Sequence, residues 1–257
     1  MNLEGLRVEI ADGIAIVTLD RPPVNATNRA LRESLTRAFD AFSDRDDVRV
    51  AVLTAQGKVF CAGADIKERA SLAAEPGDYA ALNRLVREMF YSIMECKKPV
   101  IGAINGTALG AGMALALCCD IILAAEDAVF GMPEVDVGLA GGVKFLQRHF
   151  TPGKARRLLL TGQRVAAPEL YRLGVLEECV PGPALMPAAL ALARDIAGKS
   201  PLAVRMLKES FGMVENLALK DGYRLEQEMT VVLSRSEDAQ EAKAAFVEKR
   251  KPVWKGR

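Results

Sequence analysis

Short apolar runs alternating with helix-patterned segments restrict the fold of this chain more than any other feature. Residues 48–54, 99–104 and 120–124 carry few polar side chains, as strands do when both faces are covered. Val129-Phe130 adds a further β-rich pair just beyond. Segments 65–70, 78–96 and a small-residue stretch at 110–117 lie between them and read as helices. Such alternation predicts βα units around a mostly parallel sheet. Upstream, residues 7–10 and 13–19 are β-rich and joined by Asp12-Gly13, a hairpin signal. Asn28 is placed to cap a helix reaching Phe42, with Leu31, Leu35, Ala38, Phe39 and Phe42 on one face. After Gly142 the pattern is mainly helical, over 142–150, 153–161, 187–198, 201–214, 216–235 and 237–249. Pro152-Gly153, Pro181-Gly182-Pro183 and Ser200-Pro201 punctuate it. The expected organisation is an α/β core followed by a helical C-terminal part.

Charge and composition narrow the function. The 257 residues carry 34 Lys+Arg against 33 Asp+Glu, a net charge of +1, which argues against a nucleic-acid binder working by bulk electrostatics. The basic tail of Lys249, Arg250, Lys251, Lys255 and Arg257 reads as a solvated face or an anion site. No apolar run approaches the ~20 residues of a membrane span, and residues 1–9 resemble no leader, so no membrane partner is expected. Cys61, Cys96, Cys118, Cys119 and Cys179 show no zinc or redox spacing and fit reduced thiols in a cytoplasmic protein. A single histidine, His149, excludes multi-His metal centres, and its place on an amphipathic helix gives it a structural reading.

Several catalytic motifs fail. Gly110-Ala111-Gly112 begins like a dinucleotide loop, but Leu115 stands where the third glycine belongs. Gly57-Lys58 and Gly153-Lys154 lack the hydroxyl residue of a phosphate-binding loop, and neither GxSxG nor HExxH occurs. What remains is a set of three glycine-bearing junctions that follow strands: 59–68, 103–113 and 130–139. The first two are small-residue strand-to-helix turns, which allow main-chain amides to face an anion or a developing oxyanion.

Together these segments resemble the enoyl-CoA hydratase/isomerase (crotonase) superfamily over nearly the whole chain. The resemblance runs through residues 21–28, 61–67, 104–112 and 120–124, Pro133-Glu134, residues 160–164 and 173–176, and residues 245–250. It implies a crotonase-like (ClpP/crotonase) spiral α/β fold of ββα units. The core would span residues 1–195, and residues 196–257 would form a C-terminal helical trimerisation region. It also implies a homotrimer or hexamer, no cofactor beyond the coenzyme A of the substrate, no metal, and an acyl-CoA thioester as ligand.

By position in that family, the N–H groups of Ala64 and Ala111 would grip the thioester oxygen, and Glu134 would be the acid/base. The family's hydratases carry a second glutamate two residues after Gly110-Ala111-Gly112, but here that position is Ala114. Asp136 is the candidate second acid. Val24, Ala26, Ala62, Asp65 and Ile66 match the strip that holds CoA. Phe246 and Lys249 match an aromatic and a lysine contributed by the tail or by a neighbouring subunit. Residues 71–78 read as a flexible loop over the acyl end. The lone glutamate leaves three chemistries open: hydration, Δ3,Δ2-enoyl-CoA isomerisation, and CoA-ester decarboxylation or C–C cleavage. A non-catalytic CoA-binding protein is the further alternative.

Overall fold

The apolar runs form strands with two buried faces, as their composition requires. In the computed structural model, which describes residues 3–70 and 77–257, the hairpin β1 (Leu6–Ala11) and β2 (Ile14–Leu19) leads into helix α1 (Arg29–Asp44). Asn28 caps α1 by accepting the Leu31 N–H. Next come β3 (Val50–Ala55), β4 (Val59–Cys61), α2 (Ile66–Ala70) and α3 (Asp78–Met94). A second unit has β5 (Val100–Ile104), β6 (Thr107–Leu109) and α4 (Ala111–Leu117). A third has β7 (Ile121–Ala125), β8 (Val129–Gly131), a 3-10 helix (Pro133–Val137) and α5 (Val143–His149). Then follow α6 (Pro152–Thr161), β9 (Arg164–Ala166), α7 (Ala167–Arg172), β10 (Glu178–Val180) and α8 (Gly182–Ala197). The chain ends in α9 (Pro201–Val214), α10 (Leu219–Ser234) and α11 (Glu237–Glu248).

Among the described residues the strands form two sheets rather than one. The larger has the order β1-β2-β3-β5-β7-β10 and the smaller β4-β6-β8-β9. Each unit therefore places its first strand in the large sheet and its second in the small one, the spiral of ββα turns. Residues 56–58, 105–106 and 126–128 are the crossings. The second strands are three residues long, too short to show a period of two, so the sequence absorbs them into the junctions. Helix α8 begins at Gly182 rather than at residue 187, because Pro183 is tolerated in a first turn.

The large sheet separates two cores. Ala51 and Leu53 of β3, Ile104 of β5 and Ala124 of β7 face the one shared with α1 and α4. Val50, Val52, Ile101, Ala103, Leu123 and Ala125 face the other, against Leu185, Ala189 and Ala193 of α8. Burying each Val, Leu or Ile contributes roughly 1.5–3 kcal/mol, which is why these strands carry so few polar residues. The expected boundary at residue 195 falls inside the last turn of α8, which packs on the sheet. Lys208 of α9 ties the C-terminal helices back through Asp120 (2.8 Å) and the Lys98 carbonyl (3.0 Å). The tail returns as well: Trp254 donates to the Gly198 carbonyl (2.7 Å), and buried Asp238 accepts the amides of Lys255 and Gly256.

Candidate active site

Three strand ends meet where β4, β6 and β8 leave the small sheet. Gly112, in the first turn of α4, lies so close to β4 that a Cβ there would stand 2.1 Å from the Cys61 carbonyl oxygen. Only glycine permits that approach. It presses the start of α4 against the 62–64 turn: a Cβ on Gly63 would be 3.8 Å from the Ala111 nitrogen.

Ala64 forms a parallel bridge with Thr27. Thr27 donates to the Gly63 carbonyl (2.8 Å) and accepts the Asp65 N–H (3.0 Å). This pattern uses the groups on either side of Ala64 and leaves its own N–H facing away from Thr27. Ala111 is the first residue of α4, where an N–H has no partner within the helix. Neither N–H has a partner among the described residues.

Glu134 arrives from the third junction on the 3-10 helix. Gly110 has φ +53°, and a side chain there would meet the Glu134 carboxylate, with Oε1 2.7 Å from the Cβ position. The half-buried Glu134 thus faces the residue that precedes Ala111. Its Oε2 is buried with no hydrogen-bond partner among the described residues. Ala114, one turn into α4, is buried at 4% exposure and brings no polar group. Asp136 is exposed, and its carboxylate packs against Gly162 at the end of α6, a different neighbour from that of Glu134.

Of the residues matched to CoA binding, Val24, Ala26, Ala62 and Asp65 belong to one set of hydrogen bonds around the 21–28 loop. The Ala62 N–H donates to the Val24 carbonyl (3.0 Å), and Arg21 donates to the Ala26 carbonyl (3.0 Å) while pairing with Asp65 (2.7 Å). Burial pushes the Asp65 carboxyl up, but Arg21 and the amides of Glu68 and Lys67 outweigh it and hold it below its usual range. Val24, Ala62 and Ile66 are exposed and largely apolar. Phe246, 86% exposed, and Lys249, which ends α11 in the left-handed region, sit on a helix whose ties run to α10, Ser200 and the tail. The reading of residues 71–78 as a loop falls, for 71–76, outside the described residues.

Other groups near the junctions are structural. His149 donates from Nε2 to the Leu117 carbonyl (3.0 Å), tying α5 to the end of α4, and burial pushes its pKa down. Burial likewise raises the Cys61 thiol to about 11, leaving it protonated. Among the described residues, no group of three His, Cys, Asp or Glu is arranged to hold a metal ion, and no helix is long and apolar enough to cross a membrane.

The sequence reading overlooked the residues that brace this geometry. Asn25, with φ +52°, donates from Nδ2 to the carbonyls of Gln56 (3.0 Å) and Val59 (2.7 Å) and accepts the Arg21 N–H (2.9 Å). Arg32 is fully buried and pairs with Glu68 (2.7 Å). The signal for Arg32 was a charge next to Leu31 on the apolar face of α1.

The sequence matches the family model described as Enoyl-CoA hydratase/isomerase over residues 9–257. The chain belongs to the enoyl-CoA hydratase/isomerase family. Carnitinyl-CoA dehydratase of Proteus mirabilis is 36% identical over 263 residues, covering 99% of each chain. A probable mitochondrial enoyl-CoA hydratase of Dictyostelium discoideum is 37% identical over 245 residues, covering 94% of this chain and 87% of that one. The crystal structure of an enoyl-CoA hydratase from Bacillus anthracis superposes with a TM-score of 0.94 at 33% identity, covering 99% of this chain and 100% of the other. As a hydratase/isomerase family enzyme acting on acyl-CoA, this protein has the crotonase fold, with a helical region after the α/β core.

Proposed function

We propose that this enzyme moves a proton at carbon 2 of an acyl-CoA thioester, with Glu134 as its single acid/base. The observation that carries the reading is the approach of Gly63 to the Ala111 nitrogen, with the Glu134 carboxylate against Gly110. In this reading the Ala64 and Ala111 N–H groups donate to the thioester carbonyl oxygen. When Glu134 takes the carbon-2 proton, the electron pair passes into an enolate whose charge rests on that oxygen. Loss of one such donor typically costs about 10²–10³ in rate. The buried Oε2 of Glu134, without a hydrogen-bond partner among the described residues, suits a group that must accept a proton from a ligand.

Double-bond chemistry follows. In dehydration of a 3-hydroxyacyl-CoA, the enolate pair forms the 2,3 double bond as the hydroxyl leaves carbon 3 with the proton that Glu134 returns. Hydration is the reverse. The relatives named as a carnitinyl-CoA dehydratase and an enoyl-CoA hydratase favour this reading. Ala114 favours a second one. With no second acid there, one carboxylate meets the whole proton inventory of isomerisation, taking the proton from carbon 2 of a 3-enoyl-CoA and returning it to carbon 4. The two are separated by supplying 2-enoyl-CoA and 3-enoyl-CoA in oxygen-18-labelled water. A labelled 3-hydroxyacyl product from the 2-enoyl substrate establishes hydration; conversion of the 3-enoyl substrate without label establishes isomerisation. CoA-ester binding with no turnover of either contradicts both.

The CoA moiety is assigned to the exposed Val24, Ala62 and Ile66 and to Ala26 and Asp65. Phe246 and Lys249 are assigned to a CoA in a neighbouring subunit, since their helix is tied to the C-terminal region. A homotrimer or hexamer formed through the exposed apolar faces of α9–α11 is the matching assembly. Five free cysteines, four of them buried, fit a reducing cytoplasm.

A further inference from the structure

Helix α1 buries Leu31, Leu35, Phe39 and Phe42, and in the same buried face lies one guanidinium, that of Arg32. A buried ion pair adds little stability over apolar side chains of equal volume, so its contacts matter more than its energy. Nη2 of Arg32 donates to the Thr27 carbonyl, and Nη1 lies 2.7 Å from Glu68 Oε2. The other Glu68 oxygen accepts the N–H of Arg29, the first residue of α1. Thr27 is the residue that brackets Ala64 by bonding Gly63 and Asp65. From one buried point Arg32 therefore holds the strand facing Ala64 and the helix that follows it.

A main-chain amide is not steered by its own side chain; its direction comes from whatever fixes its neighbours. We propose that Arg32, with Glu68 as its counter-ion, is a positioning residue that aims the Ala64 N–H at the thioester carbonyl oxygen. This rests on the two-amide reading above and deepens it. The Arg21–Asp65 pair holds the same segment independently, so losing Arg32 loosens the aim without releasing the turn. A displacement of about 1 Å at such a site costs about 10²-fold in rate.

The test reads carbonyl polarisation, which needs no turnover. Butyryl-CoA labelled with carbon-13 at its carbonyl is bound to the wild type, to Glu134→Gln, to Arg32→Lys and to the double variant Arg32→Met/Glu68→Gln. Difference infrared spectroscopy follows the carbonyl stretch, and urea unfolding checks the fold. In the double variant methionine fills the guanidinium's space, and the glutamine oxygen can still accept the Arg29 N–H. The stretch is expected to fall on binding to the wild type and to Glu134→Gln. The double variant should bind but lose most of that fall, and turnover should drop about 10²-fold. Arg32→Lys should recover part of it, since an ammonium lacks the fork that reaches both acceptors. A folded double variant with the full wild-type fall overturns the role of Arg32. No fall in the wild type overturns the two-amide reading, and this inference with it. If the double variant does not fold, Arg32→Lys decides: a partial loss supports the role, and an unchanged stretch overturns it.

Discussion

The junction region and the C-terminal helices solve opposite problems. Helix α1, beside the junctions, buries Leu31, Leu35, Ala38, Phe39 and Phe42, and the glycines there bring backbone within contact distance of backbone. Among the described residues α9 buries Ser210 alone, α10 Gly222 alone, and α11 Asp238 and Ala245. Those three helices leave Phe211, Leu219, Tyr223, Val232 and Phe246 exposed. The first region buries its apolar side chains within one chain. The second displays apolar surface of the kind that marks an interface. The contrast teaches that the proposed chemistry belongs to the core and the proposed assembly to the tail.

Four changes sharpen or break that contrast. The largest effect is expected from Glu134→Gln, which should reduce enoyl-CoA turnover by about 10³-fold while CoA-ester binding by calorimetry persists. Gly112→Ala comes next, because its Cβ would stand 2.1 Å from the Cys61 carbonyl. It should destabilise the fold by about 1–3 kcal/mol in urea unfolding and depress turnover by moving Ala111 away from Ala64. On the other side of the contrast, Phe211→Glu with Leu219→Glu should lower the mass measured by light scattering. The stability of the chain should move only within about 0.5 kcal/mol per site, as for exposed positions. An unchanged mass would place the interface elsewhere.

The smallest effect concerns His149. Burial holds its folded pKa below the ordinary 6.5, so between those two values the unfolded chain binds more protons than the folded one. Its contribution to stability is complete above pH 6.5, declines as pH falls through that window, and levels off below the folded pKa. Urea midpoints taken across this range should show the slope in the wild type and lose it in His149→Gln.

What could be read from the sequence followed the strength of the local signal. The apolar strands of the large sheet, the Asn28 cap and the three junctions stand out because each has a residue pattern tied to a geometry. The small sheet does not, since strands of three residues carry no periodicity. Arg32 does not stand out, because a charge on a helix reads as solvent-facing, whereas this one is fully buried. Asp136 is near Glu134 in sequence, but two residues along a 3-10 helix its carboxylate lies against Gly162 rather than Gly110. Phe246 and Lys249 could be matched by position, but a single sequence does not say across which surface they work.

The central claim is that Glu134 exchanges a proton with carbon 2 of a thioester whose charge two amides hold. Proton NMR of butyryl-CoA incubated with the enzyme in heavy water tests it without presuming hydration or isomerisation. The account predicts that the carbon-2 protons wash out with the wild type and persist with Glu134→Gln. Washout at equal rates in both would contradict it.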